Sequence, residues 1–164
     1  MGAMDHKAFL KALPTEDKDR LTQKSDAAGL WHLAGHAGLI LVLGILIAAK
    51  VPFWWALMLP QGIAIAFLFT LEHECTHKTP FASERINEWV GWASGLLIFQ
   101  PFLWFRYFHL AHHRYTNDPD NDPELGGLPK PDSWADFWLH LSSVQYWQAK
   151  ALLFRRNAFG TITA

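Results

Sequence analysis

Leu71-Glu-His-Glu-Cys-Thr-His77 closes a long uncharged run, and His109-Leu-Ala-His-His113 follows it further along the chain. These two stretches hold five of the nine histidines. His73 and His77 are spaced i, i+4, and His109, His112 and His113 are spaced i, i+3, i+4, so on helices each set projects from one face. Neutral imidazole is the commonest nitrogen ligand for iron, zinc and copper. Two such sets aimed at one point make a histidine-rich metal site. Cys75, between the first two histidines, points the other way and reads as packing.

The rest of the chain reads as the scaffold for that site. Residues 27–49 carry no formal charge, and at about 1.5 Å per residue they reach roughly 34 Å, enough for a hydrocarbon core of about 30 Å. Lys50-Val-Pro52 is the turn, with Pro52 suited to the first position of a new helix. Residues 51–71 are again uncharged, with Trp54 and Trp55 as interfacial anchors. Pro60-Gln61-Gly62 predicts a kink in this second span. The ends of such a hairpin emerge on one side. Lys7, Lys11, Lys18, Arg20 and Lys24 precede it, and Lys78, Arg85, Arg106 and Arg114 follow it, against Lys50 alone at the turn. The excess of basic residues places both ends, and the histidines, in the cytoplasm.

Residues 1–26 read as a polar cytosolic arm, with a weak leucine face broken at Pro14, and residues 27–164 as the membrane domain. The aromatic segment 86–108, interrupted at Gln100-Pro101, has too short an apolar core to span. A crossing there would separate the two histidine sets, so it is expected to lie in the interface or to dip and return. A loop follows through Asp118-Pro-Asp120-Asn-Asp122-Pro-Glu124 and Gly126–Pro131. Asp132-Ser133 caps an interfacial helix over 134–154, rich in Trp and Phe. The predicted fold class is an all-α membrane protein: a transmembrane helical hairpin, then cytosolic or interfacial helices carrying the histidines.

Composition excludes several classes. Charged residues make up 18 % of the chain, below the roughly 25 % of a soluble domain. A net charge of −1 without a Lys/Arg-rich tract gives no case for nucleic acid. A single cysteine excludes an intramolecular disulfide. No cleavable signal peptide is legible, and the Met1-Gly2 opening has His6 where myristoylation needs Ser or Thr.

His73-x-x-x-His77 at the cytosolic end of a hairpin, then His109-x-x-His112-His113, then Thr116-Asn-Asp-Pro and Asp122-Pro-Glu, resembles the membrane fatty acid desaturase family over roughly residues 28 to 150. That resemblance implies a di-iron centre with two Fe, held by histidines from three boxes. It implies dioxygen as co-substrate, a lipid acyl chain as substrate, and electrons from a ferredoxin- or cytochrome-type donor. His73, His77, His109, His112 and His113 match the first two boxes. Metal-bound imidazoles need partners on their other nitrogens, for which Glu74, Asn117, Asp118 and Asp122 are the nearby candidates. The third box and second hairpin of the family pattern are absent. The chain is therefore expected to be the N-terminal part of an enzyme, inactive alone and a weak iron binder.

Three alternatives stand beside this one. A membrane di-iron hydroxylase or carotenoid ketolase would carry similar boxes. His73-Glu74-x-x-His77 also fits a zinc intramembrane protease with Glu84 or Glu88 as third ligand, but Pro80 and Ser83 stand where the extended pattern has Gly and His. That reading leaves the second histidine set without a role. A non-catalytic membrane protein is the third. His32 and His36, one turn apart in the first span, and the isolated His140 read as packing or interfacial residues.

Overall fold

A computed structural model describes residues 5–126 and 130–160. The Met1-Gly2 opening lies outside the described residues, as do positions 127–129 of the expected loop. Among those described, the regular structure is entirely helical. The chain divides into two compact units, residues 1–106 and 107–164.

In the first unit, α1 (His6–Ala12) and α2 (Thr15–Thr22) form the polar arm and are separated at Leu13-Pro14. Proline lacks the N–H and the following helix starts afresh from it. Then α3 runs over Asp26–Ala48, capped by Ser25, whose Oγ accepts from the Ala28 N–H. Only Leu43 along α3 is buried. After a turn and a short 3-10 helix at Trp54–Leu57 come α4 (Met58–Ala66) and α5 (Leu68–Thr76). Two helical stretches, Thr15–Ala48 and Trp54–Thr76, each hold a window long and apolar enough to cross a membrane.

One local expectation is corrected here. The second helical stretch does not begin at Pro52: Lys50 and Phe53 both take left-handed φ values, 50° and 62°, so the turn runs on to Phe53. Pro60-Gln61-Gly62, where a kink is expected, lies within α4. Pro60 sits in its first turn, where the N–H it lacks has no intrahelical partner, and the helix is interrupted further on, at Phe67.

Next, α6 covers Glu84–Leu97 and α7 covers Phe102–Tyr115. The break between them has Phe99 at φ 57° and the Gln100 N–H bonded to the Gly95 carbonyl. The core of this unit is Cys75, Phe81 and Phe102, with Leu33, Leu71, Ile86 and Val90 packed around them. Cys75 is therefore a packing residue. Buried Asn87 donates from Nδ2 to the Phe81 and Ser83 carbonyls, both at 2.9 Å, and so fixes the loop that leads into α6. Two glycines allow close packing: a Cβ at Gly91 would lie 2.2 Å from the Phe102 ring, and one at Gly95 2.3 Å from the Gln100 carbonyl oxygen.

The second unit holds the remainder of α7 (the division falls within that helix), the acidic turn, α8 (Trp134–Leu141) and α9 (Val144–Ala158). Ser133 caps α8, accepting from the Asp136 N–H. The single helix expected over 134–154 is in fact two. Ser143 takes φ 60°, and the Ser142 hydroxyl donates to the Leu139 carbonyl while accepting from the Val144 N–H. Serine side chains compete with the helix ladder for backbone groups, and here two in succession end it.

Candidate metal centre

α5 presents His73 and His77 one turn apart, with ring centroids 4.9 Å from each other in an edge-to-face arrangement. Their helix is held against α6, the most extensive helix contact of the first unit. On the α6-facing side Glu72 and Cys75 are fully buried, and a Cβ at Gly95 would come within 2.8 Å of the Glu72 carboxylate. Burial on that side turns the histidines the opposite way. Phe105, in the opening turns of α7, lies 6.5 Å from the His73 ring and 5.2 Å from Phe69.

Glu74 partners His73. Its Oε1 accepts from His73 Nδ1 at 3.0 Å, and Oε2 accepts from the Thr79 hydroxyl at 2.6 Å. The carboxylate thus fixes the imidazole's orientation and is itself fixed. Thr79 is a participant that no sequence pattern pointed to.

In the second unit His109 and His113 lie on one face of α7 with their Nε2 atoms 2.9 Å apart. One of the two must carry a proton to make that contact. Two imidazole nitrogens brought this close form a donor pair that a single cation would satisfy equally well. His112 sits on the neighbouring stripe, its ring 6.2 Å from His109 and 5.8 Å from His113.

His112 has its own carboxylate. Nδ1–H donates to Asp122 Oδ1 at 2.9 Å, with Glu124 Oε2 at 3.4 Å. Asp122 also accepts from the Asn117 N–H on Oδ2 and from the Glu124 N–H on Oδ1. Its side chain is almost completely buried. The bond to Asp122 raises His112 above the ordinary imidazole range, against the effect of burial and with help from Glu124. Burial alone would raise the Asp122 carboxyl. The bonds from His112, Glu124 and Asn117 prevail and hold it below its usual value.

The other candidates fall as follows. Asn117 contributes its backbone N–H, at a left-handed φ of 64°. Asp118 serves the turn itself, accepting from the Asp120 N–H and the Asn121 amide. His36 donates from Nε2 to the Ala64 carbonyl at 2.8 Å, joining α3 to α4, and His32 lines a cleft beside α3. His140 lines a separate cleft with Asp132 and Asp136. Glu124 belongs with Asp122, though its charge alone did not mark it.

Comparison with known proteins matches residues 48–163 to the fatty acid desaturase family model. The chain is 32% identical over 87 residues to an sn-1 oleoyl-lipid 12-desaturase of Picosynechococcus sp., covering 51% of this chain and 22% of that protein. It is 32% identical over 124 residues to a Delta(12) fatty acid desaturase of Mortierella isabellina, covering 65% and 31%. A third relative is an sn-1 acyl-lipid omega-3 desaturase (ferredoxin) of Nostoc sp., 31% identical over 91 residues, with 51% and 24% covered. The chain thus spans less than a third of each of these relatives. No solved structure matches.

Proposed function

The chain belongs to the fatty acid desaturase family, and from that premise we propose that it forms part of an iron-dependent lipid desaturase, with both histidine sets serving one centre. The family match over residues 48–163, which holds both histidine sets, is the observation that supports joining them; within each set the imidazoles already lie side by side.

His73, His77, His109, His112 and His113 would hold the iron. The donor chemistry fits: neutral imidazoles, two of them with carboxylate partners on Nδ1, the arrangement that fixes tautomer and ring orientation in metal-ligating histidines. Iron bound there, with dioxygen, supplies the oxidation of an unactivated C–H bond that side-chain acids and bases cannot perform. Forming a double bond releases two electrons and dioxygen takes up four on becoming two waters, so an external donor of ferredoxin or cytochrome type supplies the rest. Glu74 and Asp122 hold His73 and His112 in position. In this reading the centre sits at the membrane edge with the histidines on the cytoplasmic side, where an acyl chain arrives from the bilayer and electrons from water; the two stretches long and apolar enough to cross a membrane support it.

The zinc protease reading asks Glu74 to act as a general base. Its two oxygens instead engage His73 and Thr79, which favours an orienting role. Metal analysis of the purified chain after anaerobic loading with Fe(II) or Zn(II) separates the readings. A weak but measurable Fe(II) affinity in the wild type, lost in His109→Ala, is the expected result. Zinc retained at one per chain and unaffected by His109→Ala would favour the hydrolase, and no metal retained would remove both.

A further inference from the structure

Two clefts flank α3 in the first unit. The inner one, about 380 Å³, is lined by Phe67, Thr70 and Glu74 among others. The outer one, about 340 Å³, is lined by Lys24, Ser25, Ala28, His32 and Leu33 among others. They share His36, Leu71, Thr79 and Pro80, so they are two halves of one groove.

The groove is graded along its length. Its outer end lies at the start of α3, where the outer cleft is lined by the cationic Lys24 and by no carboxylate. Lys24 is held at the mouth by its bond to the Lys78 carbonyl, at 2.7 Å. The nearby Asp26 carboxylate is turned to the Ser83 N–H at 2.8 Å. Further in, Leu33, Leu71 and Phe67 line it, with Thr70 and Thr79 beside them and Glu74 as its one carboxylate, already engaged by His73 and Thr79. His36 is ten residues into α3, about 15 Å at 1.5 Å per residue, or half of a hydrocarbon core of about 30 Å. Gly29 shapes the outer wall, since a Cβ there would lie 2.4 Å from the Pro80 carbonyl and 2.6 Å from the Phe81 ring.

We propose that this groove binds one anionic phospholipid from the bilayer, its phosphate at Lys24 and His32 and one acyl chain along Leu33, Leu71 and Phe67. A cationic, hydrogen-bonding end at the start of α3 and an apolar strip of Leu33, Leu71 and Phe67 leading away from it match the headgroup and one acyl chain of a single lipid in one leaflet. The proposal rests on the membrane placement given above but not on the iron. Because Glu74 lines the inner half and also holds His73, a lipid seated here lies against the support of the metal site.

The test is native mass spectrometry of the purified chain, delipidated and then supplied with phosphatidylglycerol, phosphatidylcholine or inorganic phosphate. The wild type should retain one phosphatidylglycerol, at least tenfold more tightly than phosphatidylcholine, with millimolar phosphate failing to compete. Lys24→Glu should abolish the preference, Lys24→Arg should keep it, and Ala28→Trp should block retention by filling the outer half. Leu41→Trp, on an exposed part of α3 outside the groove, should change nothing. Equal retention in Lys24→Glu, Ala28→Trp and the wild type would overturn the proposal, as would competition by free phosphate. So would a groove closed to lipid in the wild type by another protein segment. Iron measured on the same samples reports on the desaturase reading independently.

Discussion

The helix carrying His73 and His77 is fixed by close packing, whereas the ring of His112 is fixed by a buried carboxylate in a turn. On α5, Glu72 and Cys75 are sealed against α6, and glycines at 91 and 95 let the neighbouring segments approach within van der Waals contact. Around His112 the support is Asp122, whose two oxygens gather the imidazole and two backbone N–H groups. Packing sets where a helix lies; a carboxylate sets which nitrogen of a ring carries its proton. Damage to the first should appear as lost folding, and damage to the second as lost ligand orientation.

The largest expected effect is from Gly95→Ala. The added carbon would meet the Gln100 backbone carbonyl at 2.3 Å, and backbone cannot swing aside as a side chain can. Overpacking of this kind destabilises by on the order of 3 kcal/mol, readable as a lowered Tm by circular dichroism in detergent. An unchanged Tm would show that the link between α6 and α7 is not packed against Gly95 as tightly as this. Asn87→Leu should cost about 1–3 kcal/mol, because it removes the side-chain donor to the Phe81 carbonyl, while Ser83 keeps the Asn87 backbone N–H.

Asp122→Ala should behave differently. Thermal unfolding of the first unit should be unaltered, while metal affinity falls about 10–100-fold, as for other residues that orient a metal-ligating histidine. A variant that unfolds the first unit but still binds metal normally would reverse the contrast.

The smallest effect concerns α8. The Ser133 hydroxyl donates to Asp136 and holds that carboxyl below its usual value. A depressed folded pKa means the stabilisation is present above the unfolded value, about 3.9, and disappears as pH falls through the lower folded value. Helix content from α8 should therefore decline below about pH 4. Ser133→Ala, itself costing about 1 kcal/mol, should weaken that dependence, the remainder coming from Asp132. A Ser133→Ala titration that overlays the wild type would show that the cap is not its source.

Much of this was legible in the sequence because it depends on period and composition. The uncharged runs gave the apolar helices, Ser133 gave the cap, and the i, i+4 spacings gave the pairs His73/His77 and His109/His113, with His112 turned aside to Asp122. The breaks were harder to read. Ser143 and Phe53 adopt positive φ without being glycine, and nothing in a side chain at these positions announces it. The helix interruption at Phe67 has no local signal. The supporting contacts were also only partly readable. Asp122 stood out as an acid near histidines, but Asp118, closer to them in sequence, is occupied by its own turn. The bond from His36 to the Ala64 carbonyl joins residues far apart in the chain, and no periodicity carries it.

The central claim is that two histidine sets serve one centre, and a double-mutant cycle on Fe(II) affinity tests it most directly. His77→Ala, His109→Ala and the double variant would be titrated with Fe(II) under anaerobic conditions. A shared centre predicts strong coupling, with the double variant scarcely worse than the weaker single one. Losses that simply add would mean that the two sets act as separate sites, and would contradict the account.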